Sequence, residues 1–517
     1  MRGRSRSASL SRAPPARPRL VLNAAQSAYI HIPFCKQRCY YCDFPVSVVG
    51  ADTQRPGART AIDRYLDALA IELDRGGSGA LAPERPSPDV GAALETIYLG
   101  GGTPSLLEPH EVDRILGALD ERFGIAPGAE ISMEMDPGTF DLAKAQGMRA
   151  AGVTRVSVGV QSFAEEQLRA CGRGHGVSEV EESVGFLRRA DFQEISLDIM
   201  SGLPGDTVQG LERSLERAIA LEPAHLSVYD LIVEEGTAFW RWYGAAGEDG
   251  PRRGPRESSA PGQGGVGGGG GRGGGGGSLV RDLPSDELAG EMYCAANRFL
   301  ASHGFEHYEI SSYARLPPGA APAGGEDDGA RSPHRSRHNL VYWKHDPFLA
   351  FGMGATSFVG GVRLARPRTL DAYGQWIQQG GPSFGLVGQS EDEEDEEEED
   401  QAWSDLVEVL MVGLRMRHGL VLEDLRRQYG DPLVERALSC FTPHVGAGLV
   451  EITPGGRLRL TSPQVLSPPS IFLPVLSCSI SPACLSLLVP ASYPPQMGCR
   501  CLAMFAWLLA IFAVRVE

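Results

Sequence analysis

Long apolar runs are nearly absent from this 517-residue chain. Leu502–Val514 is a stretch of thirteen, against the ~20 residues that a membrane-spanning helix requires. No stable membrane span is therefore expected. No acidic residue occurs before Asp43, and the first 27 residues hold six arginines among serines and alanines. They also lack the apolar core of a secretory signal, so a secretory signal is not expected. Residues 1–27 are expected to be an organellar transit peptide, for a mitochondrion or a plastid; the alternative is a basic arm on a cytoplasmic protein. An excess of positive charge is missing too. The net charge is −17, and setting aside the ten carboxylates of Glu391–Asp400 still leaves −7. Nucleic acid is not expected as a partner. Paired cysteine spacing is the last absence: Cys171, Cys294 and Cys440 are scattered, and Cys478, Cys484, Cys499 and Cys501 lie in the last forty residues. A disulfide framework is excluded, and a reducing compartment fits.

What the chain does have is three thiols within eight residues, Cys35-x3-Cys39-x2-Cys42. A structural zinc takes four protein ligands and a disulfide takes two. Three thiolates suit a 4Fe–4S cluster that keeps one iron open to a small molecule.

Downstream, apolar positions at helical spacing over 59–78 precede an apolar strand at 95–99, which runs directly into Gly100-Gly-Gly-Thr-Pro-Ser105. Glycines at the end of a strand let backbone amides approach a ligand. A helix is expected over 109–123. Strands at 130–135, 153–158 and 194–200 then alternate with helices at 141–151, 163–171 and 178–190. This alternation predicts an α/β fold of right-handed βα units around a parallel sheet, either open or closed into a barrel. Glu134, Gln161, Arg173 and Asp198 stand at or just after strand ends, the edge at which barrels bind ligands.

Six ordered motifs carry a family resemblance. The cysteine triad, Gly100–Ser105, Glu134-Met-Asp-Pro-Gly-Thr139, Arg155-Val-Ser-Val-Gly-Val-Gln-Ser-Phe163, Gly172-Arg-Gly-His175 and Gly202-Leu-Pro-Gly-Asp-Thr207 together resemble the HemN/HemW branch of radical S-adenosylmethionine proteins. The match runs from about residue 28 to 460. The resemblance implies a partial (β/α)6 barrel followed by a small, mostly helical, winged-helix-like C-terminal domain. It implies that Cys35, Cys39 and Cys42 ligate the 4Fe–4S cluster. S-adenosylmethionine would occupy the open iron, contacted by Tyr29, Tyr41, Gly102, Thr103, Glu134, Gln161, Arg173 and Asp198. Glu134 can accept from a ribose hydroxyl, and Arg173 can offer a fork of donors to the methionyl carboxylate. Reduction of such a cluster can cleave the cofactor to a 5′-deoxyadenosyl radical.

Two activities compete within the branch. The oxygen-independent coproporphyrinogen III dehydrogenase carries a fourth cysteine two residues after the third, where this chain has Phe44. Cys42-Asp-Phe44, Gly304-Phe-Glu-His-Tyr308 and His338-Asn339-Leu-Val-Tyr342-Trp343 resemble the heme-chaperone branch instead. The expected function is heme binding and transfer to an acceptor protein, with an electron donor as a further partner if the cofactor is cleaved. Whether the protein is an enzyme stays open. Among eleven histidines, His338 is the expected heme ligand, with an amide and two aromatic rings nearby to line a pocket. His31 is expected to pack beside the cluster loop, and His307 and His345 are weaker candidates for heme.

The expected organisation is barrel core 28–243, a Gly-rich insertion 244–282 that cannot bury a core, a continuation 283–385 with an insertion at 317–333, an acidic loop 386–401, the C-terminal domain 402–461 and an atypical tail 462–517. The tail has no periodicity; a mis-predicted or read-through exon is the preferred account, and a tail anchor is the alternative.

Overall fold

Alternation along the strands decides the architecture. The computed structural model describes residues 25–75, 93–244, 282–319, 332–381 and 394–461. In chain order these begin with β1 (Ser27–Ile32), two short strands β2 (Phe34–Cys35) and β3 (Ser47–Val48), α1 (Pro56–Asp74), β4 (Leu94–Gly101) and α2 (Pro109–Phe123). There follow β5 (Ile125–Met135), α3 (Leu142–Ala150), β6 (Arg155–Gln161), α4 (Glu165–Ala170), α5 (Val177–Arg189), β7 (Glu194–Ser201), α6 (Val208–Ala220) and β8 (His225–Asp230). Then come α7 (Asp286–Ser302), β9 (Phe305–Glu309), β10 (Ser312–Arg315), α8 (Arg337–Trp343), β11 (Leu349–Phe351), β12 (Thr356–Val359), β13 (Val362–Ala365) and α9 (Leu370–Gln378).

β1 and β4 to β8 lie side by side in chain order and all pair in parallel, as right-handed βα units require. This is the six-stranded partial barrel expected. β11 extends it in parallel beside β1, and the β9/β10 hairpin extends it antiparallel beside β8. One face of the barrel strands is apolar: Ile30, Ile97, Leu99, Met133, Val156, Val158, Ile195, Leu197 and Leu226 are buried in the main core, with the helices packed over them. Each such side chain contributes about 1.5–3 kcal/mol on burial. The alternate positions are polar, including Tyr29, His31, Thr96, Tyr98, Glu134, Ser157, Asp198, His225 and Ser227. A period of two therefore puts the core outside the sheet and the chemistry inside.

Residues 332–343 close the end of the barrel at which the strands begin. The Glu130 carboxylate accepts from the backbone N–H groups of Arg337 and His338; Arg335 pairs with Glu306, and His334 and Arg155 share Glu194. A second buried ion pair, Arg366–Glu72 at 2.8 Å, ties the segment after β13 to α1, with Tyr373 and the Gly352 N–H also donating to Glu72.

The C-terminal part comprises α10 (Glu394–Gly413), β14 (Leu420–Val421), α11 (Leu422–Tyr429), α12 (Asp431–Gly446), β15 (Val450–Ile452) and β16 (Arg457–Leu460). Helices followed by a hairpin match the winged-helix expectation, with β14 added as a third strand beside β16. The part has its own core, around Trp403, Leu406, Leu410, Phe441 and Leu458. One boundary is corrected. The acidic stretch expected as a loop to residue 401 is helical from Glu394. Glutamate is a good helix former, and acidic residues in a first turn complement the helix dipole. Residues 1–24 of the expected transit peptide, the Gly-rich tract, most of the 317–333 insertion and the tail after Thr461 lie outside the described residues.

Candidate functional site

The three cysteines sit on the loop that leaves β1. Parallel pairing of β2 with β3 brackets that loop, aligning Phe34 with Ser47 and Cys35 with Val48. Its exit is fixed by His31: Nε2–H donates to the Pro45 carbonyl at 3.0 Å, and Nδ1 accepts from the Tyr29 hydroxyl at 3.1 Å. Burial holds this imidazole down at a pKa of about 4, so it is neutral, as that bonding requires. His31 thus packs beside the loop as expected.

The glycine run packs the end of β4 closely against the cysteine loop. Side chains at these positions would collide with protein, since a Cβ on Gly101 would come within 2.3 Å of the His31 ring and one on Gly102 within 2.7 Å of the Phe34 carbonyl. Gly101 also has φ +113°, a region that favours glycine. The run lets the end of β4 press against the cysteine loop, where the Gly102 and Thr103 N–H groups donate to the Ile32 and Phe34 carbonyls at 2.9 and 2.7 Å. The Thr103 hydroxyl then reaches the Cys35 sulfur at 3.7 Å.

Cys35, Cys39 and Cys42 are half-buried and form no disulfide. Burial pushes the Cys35 and Cys42 thiols up to about 12, so a metal must displace their protons on binding. Among the described residues no three His, Cys, Asp or Glu side chains converge on a point suited to one metal ion. A cluster with an iron at each corner does not ask its thiolates to meet at one point. The donors aimed at the sulfurs fit such a group.

Arg173 is the other donor. Its Nη1 reaches the Cys39 sulfur at 3.5 Å and the Tyr41 hydroxyl at 3.4 Å, while Nη2 reaches the Gly159 carbonyl at 2.8 Å and the Asp136 carboxylate. Its buried Nε–H has no partner. Most of the fork expected to be free is therefore engaged, and one buried N–H still wants an acceptor at the cysteine loop. Asp136 was the residue missed. It stands inside Glu134–Thr139, two positions from Glu134 and so on the same face of the chain.

Glu134 accepts from the Gly101 N–H at 2.9 Å and the Tyr98 hydroxyl at 3.2 Å. Burial raises its pKa to about 8, against the pull of the Gly101 N–H and with the help of nearby Asp198. Asp198 accepts from Ser157 at 2.8 and 2.9 Å, and burial raises it to about 6. Gln161 ends β6 at φ +66°, a left-handed backbone uncommon outside glycine and concentrated at functional sites. The residues near the strand ends expected from the sequence are thus brought to one end of the barrel. Cys171 lies behind the loop, its carbonyl accepting from the Tyr40 N–H at 2.9 Å and its thiol fully buried.

His338 is elsewhere. It is wholly buried on the polar face against β4, with Nδ1 at 2.8 Å from the Thr96 hydroxyl and Nε2 at 2.8 Å from the Tyr342 hydroxyl. The expected open pocket is corrected: in this arrangement neither nitrogen is free to ligate iron. His307 is likewise buried, with Nε2 on the Ile310 carbonyl, and His345 packs against Phe358 beside Glu408.

Comparison with known proteins agrees with this geometry. The Radical SAM superfamily model matches residues 29–218. The heme chaperone HemW of Synechocystis is 35% identical over 404 residues, covering 77% of this chain and 80% of that protein. A zebrafish relative, the mitochondrial radical S-adenosyl methionine domain-containing protein 1, is 28% identical over 400 residues, 76% of this chain and 73% of its own. Among solved structures, the coproporphyrinogen III oxidase HemN of Escherichia coli superposes with a TM-score of 0.61 at 21% identity, over 88% of this chain and 90% of that one, which is a likeness of fold. A cysteine loop of the right spacing, a six-stranded parallel barrel and a relative matched over four-fifths of its length lead to one conclusion: the chain belongs to the HemW heme-chaperone family of radical S-adenosylmethionine proteins.

Proposed function

We propose that the protein binds heme, carries a 4Fe–4S cluster capped by S-adenosylmethionine, and passes heme to an acceptor protein. The observation that carries this reading is the family membership together with Phe44 in the place of the dehydrogenase's fourth cysteine. Cys35, Cys39 and Cys42 would hold the cluster, which when bound supplies an open iron and a source of reducing electrons. Around it, Thr103 and Arg173 direct N–H and O–H donors at the sulfurs. Tyr29, Tyr41, Gly102, Thr103, Glu134, Gln161, Arg173 and Asp198 would take S-adenosylmethionine. Asp198 and, once ionised, Glu134 would place negative charge in a region partly shielded from water, which favours a cationic sulfonium.

An organellar address fits both the arginine-rich first 27 residues and the mitochondrial relative; we place the protein in the mitochondrion. Among the described residues no helix is long and apolar enough to cross a membrane. The test is to reconstitute the cluster anaerobically, load heme, and follow the Soret band as a heme-free hemoprotein is added. Transfer of heme to that acceptor is expected. Failure to retain heme in the presence of cluster and S-adenosylmethionine would remove the proposal.

A further inference from the structure

The His338-Asn-x-x-Tyr342-Trp343 motif has no task in the site as described, yet its imidazole is held more tightly than packing alone requires. Thr96 Oγ1 donates to Ser27 at 2.9 Å, so the Thr96 oxygen accepts from His338 Nδ1–H, and Nε2 accepts from the Tyr342 hydroxyl. The protons of Tyr342, His338 and Thr96 thus each have one acceptor, in the order Tyr342, His338, Thr96, Ser27. The ring so fixed lies stacked on Tyr98, with centroids 5.3 Å apart and planes at 28°. Tyr29 stacks on Tyr98 as well, at 6.1 Å and 21°, and is itself tied to His31 at the exit of the cysteine loop. Tyr98 therefore stands in a column of aromatic rings, and its hydroxyl donates to Glu134. Tyr342 meets Phe348 edge-on at 4.6 Å, Phe348 in turn lies 6.3 Å from Phe358, and Tyr342 shares an apolar cluster with Val412 of α10.

From this geometry we infer that Tyr98, held in place by His338, is a positioning residue that aims Glu134 at S-adenosylmethionine, and that His338 serves the cofactor end of the barrel rather than the heme iron. The inference rests on the reading above that Glu134 contacts the cofactor. Tyr98 and Gly101 of β4, Tyr29 of β1, Asp198 of β7 and Asp136 just past the end of β5 bear on Glu134. Tyr98 and the Gly101 N–H stabilise its anion, whereas Asp198 and Asp136 oppose it. Loss of the Tyr98 hydroxyl removes a donor to the carboxylate, so Glu134 ionises at higher pH and the cationic cofactor binds less well near neutrality.

The experiment uses the full-length, cluster-loaded protein and equilibrium dialysis of S-adenosylmethionine between pH 6.5 and 9.5, with a heme titration of the same preparations. Tyr98→Phe keeps the ring and is expected to weaken the cofactor about tenfold at pH 7.5, with its binding midpoint moved to higher pH and the deficit shrinking above pH 9. His338→Leu is expected to lower cofactor affinity while the Soret maximum and heme affinity stay as in the wild type. Should His338→Leu misfold, Thr96→Val withdraws one anchor of the imidazole and is expected to give a smaller loss in the same direction. Wild-type cofactor affinity and pH profile in Tyr98→Phe would overturn the inference, as would a His338 variant that loses heme but keeps its cofactor. A wild-type protein that carries the cluster yet binds no S-adenosylmethionine would instead overturn the underlying reading.

Discussion

Cys35, Cys39 and Cys42 are separated from the other described thiols by what is aimed at them. The loop thiols Cys35 and Cys39 receive donors from Thr103 and Arg173, whereas Cys171 is fully buried behind the loop, and Cys294 and Cys440 lie on α7 and α12. Replacing any one of Cys35, Cys39 or Cys42 by Ala is expected to abolish the brown absorbance and paramagnetic signal of the reconstituted cluster, and single replacement of Cys171, Cys294 or Cys440 to leave both. A Cys171→Ala protein as colourless as Cys39→Ala would refute the assignment. Glu134 offers a second test at this scale. Its folded pKa, about 8, lies above the unfolded carboxylate range, so the folded state binds the extra proton between these values and loses stability as pH rises through them. Glu134→Gln should therefore stabilise the cofactor-free protein at pH 8.5, by on the order of 1 kcal/mol, and do little at pH 5. Thermal melts at the two pH values measure this, and an equal shift at both would contradict it. The cysteines were legible because three close thiols have few uses. Tyr98, Thr96 and Asp136 were not, because a period of two identifies the polar face of a strand but not which of its side chains meet across the barrel.

Elements that follow one another in the barrel could be read from local periodicity, since β1 and β4 to β8 pair in chain order. β11 could not. It joins β1 across more than three hundred residues, and three residues in length carry too little pattern. The β9/β10 hairpin was seen only as a family motif, although it caps the far edge of the sheet. The return of the chain to β11 is secured by Glu72 of α1 and Arg366, each only 2% exposed at the side chain, with Ser357, Tyr373 and the Gly352 N–H completing the network. Removing one member leaves the other charge buried without its counter-ion, which costs about 3–5 kcal/mol. Glu72→Ala is expected to lower the denaturation midpoint by that equivalent, and the double replacement Glu72→Met with Arg366→Met to recover part of it. Denaturant titrations of the two variants decide this. A Glu72→Ala protein as stable as the wild type would mean that the strap from β11 to α9 is held by its apolar contacts alone.

For the whole molecule, the fold is shared with an enzyme and the family with chaperones, so the barrel by itself does not fix the chemistry. What differs is local. In the enzyme-type loop a fourth thiol follows the third by two residues; here Phe44 holds that place, its carbonyl accepting from Arg38 and its N–H directed to the Cys42 sulfur. Phe44 is thus part of the turn that shapes the loop, through its backbone, and offers a ring where the enzyme has a thiol. On the reading proposed above, a protein whose loop lacks that thiol is expected to leave coproporphyrinogen III unchanged. The assay is anaerobic, with cluster, S-adenosylmethionine and reductant present, and chromatography of the oxidised porphyrins reads the number of propionates lost. No tri- or dicarboxylic porphyrin is expected above a cluster-free control, while the same preparation retains heme. Conversion that depends on Cys39 would return the protein to the dehydrogenases, because only an electron-delivering cluster distinguishes that arm from its control.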